Sequence, residues 1–299
     1  MKDRLFISFS GGETSAFMAQ YIIKQNIYKE TVTAFANTGE ENEKTLEFVE
    51  RCNEEFKLNC VWVEAVVHHA EKMSPTHKIV NFETAARRGE PFEEIIKKYG
   101  IPNAARPHCT RALKVYPLTS YLRSIGWEAN SYDTAIGIRA DEIDRMNPKA
   151  KEKNIIYPMV KLSMTKPDVN WYWKNMPFRL GLKGYEGNCK WCWKKTLRKR
   201  LTIMKEHPEH FDFPERMEAL YPHNGAGTTG EANVFFRDNI STKQLKEISA
   251  QTKNLIKAED DSINYGMGKL DLDLSGGCSE SCDVHHDSFD DAGKEIVLE

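Results

Sequence analysis

Apolar residues recur along the first 160 positions in two alternating rhythms. Leu5 to Phe9 is a short, largely apolar run of the kind found in a strand buried on both faces. The following segment, Glu13 to Gln25, spaces Ala16, Phe17, Ala19, Tyr21, Ile22 and Ile23 as a helix packed on a sheet would. Thr31 to Ala36 returns to β-branched and aromatic residues, and Glu43 to Phe56 to helical spacing. Cys60 to Val67 reads as a third strand. Phe92 to Tyr99 and Ala112 to Ile125 read as helices, Ser131 to Ile138 as a further strand and Asn154 to Pro158 as a weak one. This alternation predicts an α/β fold: a parallel, doubly wound sheet with helices on both faces and right-handed crossovers.

The rhythm changes after about Lys161. Asn170 to Met176 is tryptophan-rich, Lys194 to His207 reads as a basic helix, and Ser241 to Ala258 as another helix. From Glu259 onward glycine, serine and aspartate dominate. Three regions are expected: an α/β nucleotide-binding domain over 1–160, a smaller helical, cysteine-containing region over 161–258, and a mobile tail over 259–299.

Composition narrows the class. Of 299 residues, 40% are hydrophobic and 29% charged, which is ordinary for a soluble globular protein. No run approaches the roughly 18 apolar residues that cross a bilayer, so no membrane partner is expected. The first strand begins within about five residues of Met1, which leaves no room for a signal peptide and predicts a cytoplasmic protein. The net charge of −2 excludes a global basic field for nucleic acid. Seven cysteines, an odd number, argue against a disulfide framework and towards metal or thiol chemistry where they cluster.

The turn in SFSGGETS carries the first chemistry. A loop between a buried strand and a helix N-terminus offers unpaired N–H groups and the positive end of a helix dipole. Gly11 and Gly12 permit close approach of a phosphate, and Ser10, Thr14 and Ser15 add hydroxyls. Neither the GxxxxGK[ST] phosphate loop nor the GxGxxG dinucleotide fingerprint is present. An ordinary strand–helix connection is the competing reading.

SFSGGETS resembles the PP-loop of the ATP pyrophosphatase superfamily, the adenine nucleotide alpha hydrolase-like proteins with a HUP-like sheet. FANTGEENEKTLEFV, CTRALKVYPL and GIRADEIDR resemble, in order, three further segments of its phosphoadenosine phosphosulfate (PAPS) reductase branch. Together the four motifs cover about 160 residues. The resemblance implies that Ser10, Gly11, Gly12, Thr14 and Ser15 bind the phosphates of ATP or a related adenine nucleotide. It implies that Ala36, Asn37 and Thr38 face the adenosine, at the ligand crevice of a parallel sheet. Arg139 and Arg145, with Arg111 and Lys114, would meet phosphate or sulfate oxygens. Asp141, with Glu142, would hold Mg²⁺. Arg139, Asp141 and Lys114 are the catalytic candidates. A solvated surface ion pair is the competing reading for each charged residue.

The cysteines form a second constellation. Cys189 and Cys192 make a Cys-x-x-Cys turn in GNCKWCW, which brings two sulfurs within reach of one metal. Cluster-bearing relatives place a cysteine pair in the segment holding Cys109, but here the second position is Thr110. Cys278 or Cys282 would complete the set, and Cys282 is the metal candidate. The layout is similar to the sulfur-activating subunit of bacterial DNA phosphorothioation, which joins a PP-loop domain to a four-iron four-sulfur cluster. An iron–sulfur cluster is expected, with zinc as the alternative and unligated core thiols as the plain reading. Cys52 and Cys60 read as core. GGCSESCDVHH weakly resembles the C-terminal ECGLH of thiol-dependent PAPS reductases, with two of five positions failing.

Lys194, Lys195, Arg198, Lys199, Arg200 and Lys205 make a cationic run suited to tRNA or DNA, although a solvated face is the plainer reading. Trp171, Trp173, Trp191 and Trp193 flank it and read as core. The leading expectation is an enzyme that cleaves ATP at the α-phosphate and adenylates an acceptor, for sulfur transfer to nucleic acid with a sulfur-donor protein as partner. The alternatives are a PAPS reductase releasing sulfite and a non-catalytic nucleotide-sequestering protein.

Overall fold

A computed structural model describes residues 2–225, 230 and 232–265. The first half alternates as expected: β1 (Arg4–Ser8), α1 (Glu13–Gln25), β2 (Glu30–Asn37), α2 (Glu43–Phe56) and β3 (Val61–Val66). Next come β4 (Thr76–Val80), α3 (Glu90–Tyr99), α4 (Tyr116–Ser124), β5 (Asp133–Ala135) and β6 (Ile155–Ile156). Helices α5 (Pro158–Lys161), α6 (Lys166–Lys174), α7 (Leu197–Glu206), α8 (Asp212–Leu220) and α9 (Thr242–Gln251) follow.

The six strands lie in the order β4-β3-β2-β1-β5-β6. All neighbours are parallel except β3 and β4. Successive residues of a strand face opposite sides. Accordingly Leu5 and Ile7 of β1 pack with Ala16, Met18 and Ala19 of α1 and Leu46 and Val49 of α2. Phe6 packs with Leu118, Tyr121 and Leu122 of α4 on the other face. The sheet is therefore covered on both sides, and the strand order reverses at β1, where β2 and β5 flank it.

Several elements differ from the sequence expectation. The helix expected over Ser241 to Ala258 ends at Gln251, where Thr252 follows in a non-helical conformation. β4 was not anticipated: its sequence THKIV is mostly polar and it is an exposed antiparallel edge, so no apolar run marks it. The helix expected from Ala112 begins instead as a π-helical turn, Arg111–Val115, with Tyr116 N–H bonded to the Arg111 carbonyl. Pro117 lacks an N–H to donate to the preceding turn, which favours the wider loop there. The basic helix begins at Leu197 rather than Lys194, because the Thr196 hydroxyl accepts the Lys199 N–H and caps it.

The apolar cluster around β1 continues through Val169 and Trp173 to Leu180 and Leu182. A second cluster joins α3 to Trp191, Trp193, Phe211, Phe213 and Phe235. Of the four tryptophans flanking the cationic run, Trp173, Trp191 and Trp193 are core as expected, whereas Trp171 is exposed. Cys52 and Cys60 are buried in the first cluster, and burial pushes both thiols up. No helix among the described residues is long and apolar enough to cross a membrane. The mobile tail expected from Glu259 is corrected over 259–265, which pack on the fold. Asn170 Nδ2 donates to the Asp261 and Asn264 carbonyls at 2.8 and 2.7 Å, and the Gly184 N–H donates to Asp260 at 2.7 Å. The rest of that tail, with Cys278 and Cys282, lies outside the described residues.

Candidate functional site

The glycine loop sits at the C-terminal end of β1, at the point where the strand order reverses. That is where open α/β sheets present their ligand crevice. Gly12 caps α1 with no side-chain hydrogen bond, and the first backbone bond of the helix is Ala16 N–H to the Gly12 carbonyl at 3.0 Å. Among the described residues no hydrogen bond takes the N–H of Gly11, Gly12, Thr14 or Ser15. These donors cluster at and just before the helix start, where the dipole favours an anion.

The loop is built for this shape. Gly11 has φ +84°, and a Cβ there would lie 2.8 Å from Thr45 Cγ2. Ser15 donates to the Gly12 carbonyl at 2.9 Å, accepts the Ser10 N–H at 3.2 Å and meets Ser10 Oγ at 2.8 Å. Both hydroxyls thus hold the turn. Gly137, after β5, approaches the Ser15 backbone so closely that a Cβ would lie 3.1 Å from Ser15 Cα.

The arginine candidate meets the loop directly. Arg139 is buried, and its Nη1 donates to Thr14 Oγ1 at 3.2 Å. Asp141 accepts from Arg139 Nε at 3.0 Å, and Glu142 Oε1 lies 3.3 Å from Nη2. Glu142 also holds Arg145. Asp141 is thus the exposed orienting partner of Arg139.

The adenosine-facing candidates divide. Ala36, next to last in β2, is buried in the core. The Asn37 amide is committed to Glu64 at 2.6 Å, the Ala86 carbonyl at 2.9 Å and the Gly39 N–H at 3.2 Å. Thr38 donates its N–H and its hydroxyl to Glu41 Oε2, both at 2.8 Å. These side-chain bonds hold the turn that follows β2.

The three described cysteine candidates converge. Cys109, Cys189 and Cys192 line one small cavity together with Thr38, Glu41, Lys114 and Trp191. Cys109 lies two residues before the π-helical turn, and that turn delivers Lys114 to the cavity. Lys114 Nζ lies 3.7 Å from Glu41 Oε1, so this lysine sits at the thiols rather than on the glycine loop. Arg111 lies over the Tyr116 ring, 5.9 Å from its centroid. Hydrogen bonding to Cys192 and burial hold the Cys189 thiol well up. Three converging thiols and a buried carboxylate oxygen with no hydrogen-bond partner, Glu41 Oε1, fit a thiophilic metal centre.

Sequence reasoning missed what joins the two sites. The 188–190 segment pairs with 40–42: Asn42 N–H bonds the Asn188 carbonyl at 2.7 Å, and Lys190 N–H bonds the Glu40 carbonyl at 3.1 Å. Asn188 Nδ2 donates to the Ser10 carbonyl at 2.6 Å, tying the cysteine loop to the glycine loop. Glu40 accepts from Trp191 Nε1 at 2.6 Å. Glu13, inside SFSGGETS, is buried against Arg179 by two bonds of 2.9 Å. The Asn188–Ser10 and Arg179–Glu13 bonds are both long-range, and no local pattern signals either.

The cationic run is not a uniform solvated face. Lys195 and Arg200 are buried, with Arg200 over the Phe236 ring at 5.0 Å. Burial lowers the Arg200 guanidinium to about 10. Lys205 donates to the Thr252 carbonyl.

Comparison with known proteins agrees with this geometry. The chain is 28% identical over 298 residues to an uncharacterized nin region protein, ORF290, of Escherichia phage lambda. The match covers 97% of this chain and 99% of that protein, so the likeness extends through the helical region. Residues 4–175, which include the glycine loop, Cys109 and the Arg139 segment, match the phosphoadenosine phosphosulfate reductase domain. The chain therefore belongs to the phosphoadenosine phosphosulfate reductase domain family, within the PP-loop nucleotide alpha hydrolase superfamily.

Proposed function

We propose that this nucleotide-utilising protein binds ATP at the Ser10–Ser15 loop, cleaves it between the α and β phosphates, and so activates an acceptor for sulfur chemistry at the neighbouring thiol cavity. The observation that carries the reading is the Asn188 bond to Ser10, because it makes the glycine loop and the Cys189–Cys192 turn one continuous wall.

The acceptor oxygen or sulfur attacks the α-phosphorus. The bond to the bridging oxygen breaks, and pyrophosphate leaves with the electron pair. Its charge develops at the start of α1, where the N–H groups of Gly11 and Gly12 and the helix dipole stabilise it. The loop has no lysine of the kind that supports γ-phosphoryl transfer. Arg139 steadies the α-phosphate, already oriented by Thr14, Asp141 and Glu142, so little reorganisation accompanies the reaction. Mg²⁺ would arrive with the nucleotide, with Asp141 beside it. Cys109, Cys189 and Cys192 would hold an iron–sulfur cluster or zinc. Such a centre would supply a thiophilic binding position near the activated acceptor. The acceptor favoured by the cationic residues Lys194, Arg198 and Lys199 is a nucleic acid, tRNA or DNA, with a sulfur-donor protein completing the reaction.

The test uses α- and γ-labelled ATP with tRNA and DNA as acceptors. AMP and pyrophosphate are the expected products. Arg139→Ala should lower kcat by about 10²–10³-fold with a smaller effect on nucleotide affinity, because its contribution is greatest in the transition state. ADP and phosphate as the only products would overturn the reading. Sulfite released from PAPS would assign the protein to the reductases instead.

A further inference from the structure

A second cluster of metal-binding side chains lies away from the cysteines, at the end of α7. There His207 is followed by Pro208, and the chain makes one turn of 3₁₀ helix, Pro208–Phe211. In that geometry residues three apart stand over one another. His207 and His210 are three apart, and their rings stack with centroids 4.8 Å apart and planes within 16°. Glu209 lies between them, its Oε1 3.3 Å from His207 Nδ1 and 3.9 Å from His210 Nε2.

We propose that His207, Glu209 and His210 bind one divalent transition-metal ion of the zinc class, independently of the cysteines. One ligand atom from each residue lies within 4.8 Å of the others. Two donors on a tetrahedral zinc ion, each at about 2.0–2.1 Å, are about 3.3 Å apart, so small side-chain rotations close the site. Among the described residues neither ring nitrogen of His210 makes a hydrogen bond: Nδ1 is buried with no partner, and Nε2 lies 3.9 Å from Glu209 Oε1. Two imidazoles and a carboxylate form a nitrogen- and oxygen-rich set that suits zinc and leaves a position for water.

The surroundings supply the outer support that metal-bound histidines require. Glu186 is buried, with Oε1 3.8 Å from His207 Nε2 and Oε2 accepting the Lys183 N–H at 2.7 Å. A histidine bound to metal through one nitrogen characteristically donates its other N–H to such a carboxylate. Lys190 and Lys195 are near enough for their charge to reach His210, and the Glu209 carboxylate opposes them. Glu186 lies three residues before Cys189 on the same loop, so an ion here would tie that loop to the end of α7.

The experiment uses the full chain, stripped with chelator, with Co²⁺ and Zn²⁺ as probes. In a variant with serine at Cys109, Cys189, Cys192, Cys278 and Cys282, one equivalent of Co²⁺ should bind with ligand-field bands and no thiolate charge-transfer band. Glu186→Gln should weaken binding by about 10–100-fold. Glu209→Gln in the otherwise natural chain should abolish one equivalent and leave any thiolate charge-transfer band unchanged. This second variant keeps the test intact if the cysteine-free chain does not fold. Circular dichroism should show both histidine-site variants folded. Failure of the cysteine-free chain to bind either ion while folded would overturn the proposal, as would full stoichiometry in folded Glu209→Gln. Neither outcome depends on nucleotide cleavage.

Discussion

Single residues show how one motif divides its labour. In SFSGGETS the glycines shape the anion cradle, the serines hold each other and the turn, and the glutamate anchors a distant arginine. Glu40 illustrates a different effect of burial. Its carboxyl is pushed up to about 7 by desolvation, against the pull of Lys190 and the Trp191 N–H, with Glu41 adding to the rise. The ordinary value is near 4.5, so between these pH values the folded state holds a proton that the unfolded state has released. Stability from this group is therefore present below pH 4.5 and lost as pH rises through about 7, an effect of at most about 3 kcal/mol. Glu40→Gln keeps an acceptor for Trp191 and removes the charge. Urea denaturation at pH 5 and pH 8 should show the substitution stabilising the protein more at pH 8. An equal effect at both values would refute the shift.

At the scale of elements, the start of α1 is held from two directions. Gly137 after β5 packs on Ser15, and the Arg179–Leu180 segment closes over Glu13. Trp173 of α6 donates to the Glu13 carbonyl at 3.0 Å, so α6 is part of the same clamp. Replacing Glu13 with Gln leaves the half-buried Arg179 without its charge partner at the buried end of the pair. Removing one member of a buried pair is costly, and about 2–3 kcal/mol of stability should be lost. A change below about 0.5 kcal/mol in denaturant titration would show that the clamp contributes nothing. The π-helical turn plays the matching part at the other site, since it carries Lys114 to the cavity while Cys109 precedes it.

Across the whole molecule, the helical region brings its Cys-x-x-Cys turn back onto the crevice of the sheet domain. Cys109 comes from one side of the cavity, and Cys189 and Cys192 from the other, about 80 positions later in the chain. Protein purified without oxygen should contain iron, visible as sulfur-to-iron charge-transfer absorbance, and the double variant Cys189→Ser, Cys192→Ser should lose it. Zinc lost in that variant would keep the site and reject the cluster. No iron, and zinc content unchanged by the variant, would rule out a metal at the thiols.

The alternation of β1, α1, β2, α2 and β3 was legible in the chain because each element buries a face, and burial imposes a period on neighbouring residues. Helices α1 and α2 were read to their observed limits for that reason. The glycine loop was legible because its backbone demands small residues at set places. β4 escaped because an exposed edge imposes no apolar period. The Cys-x-x-Cys turn was visible as a motif, but its meeting with Cys109, Lys114 and Glu41 was not. Nor was the reach of Asn188 to Ser10, or of Arg179 to Glu13. Local pattern encodes what a segment buries, whereas the partner it buries against is chosen by the packing of the whole chain.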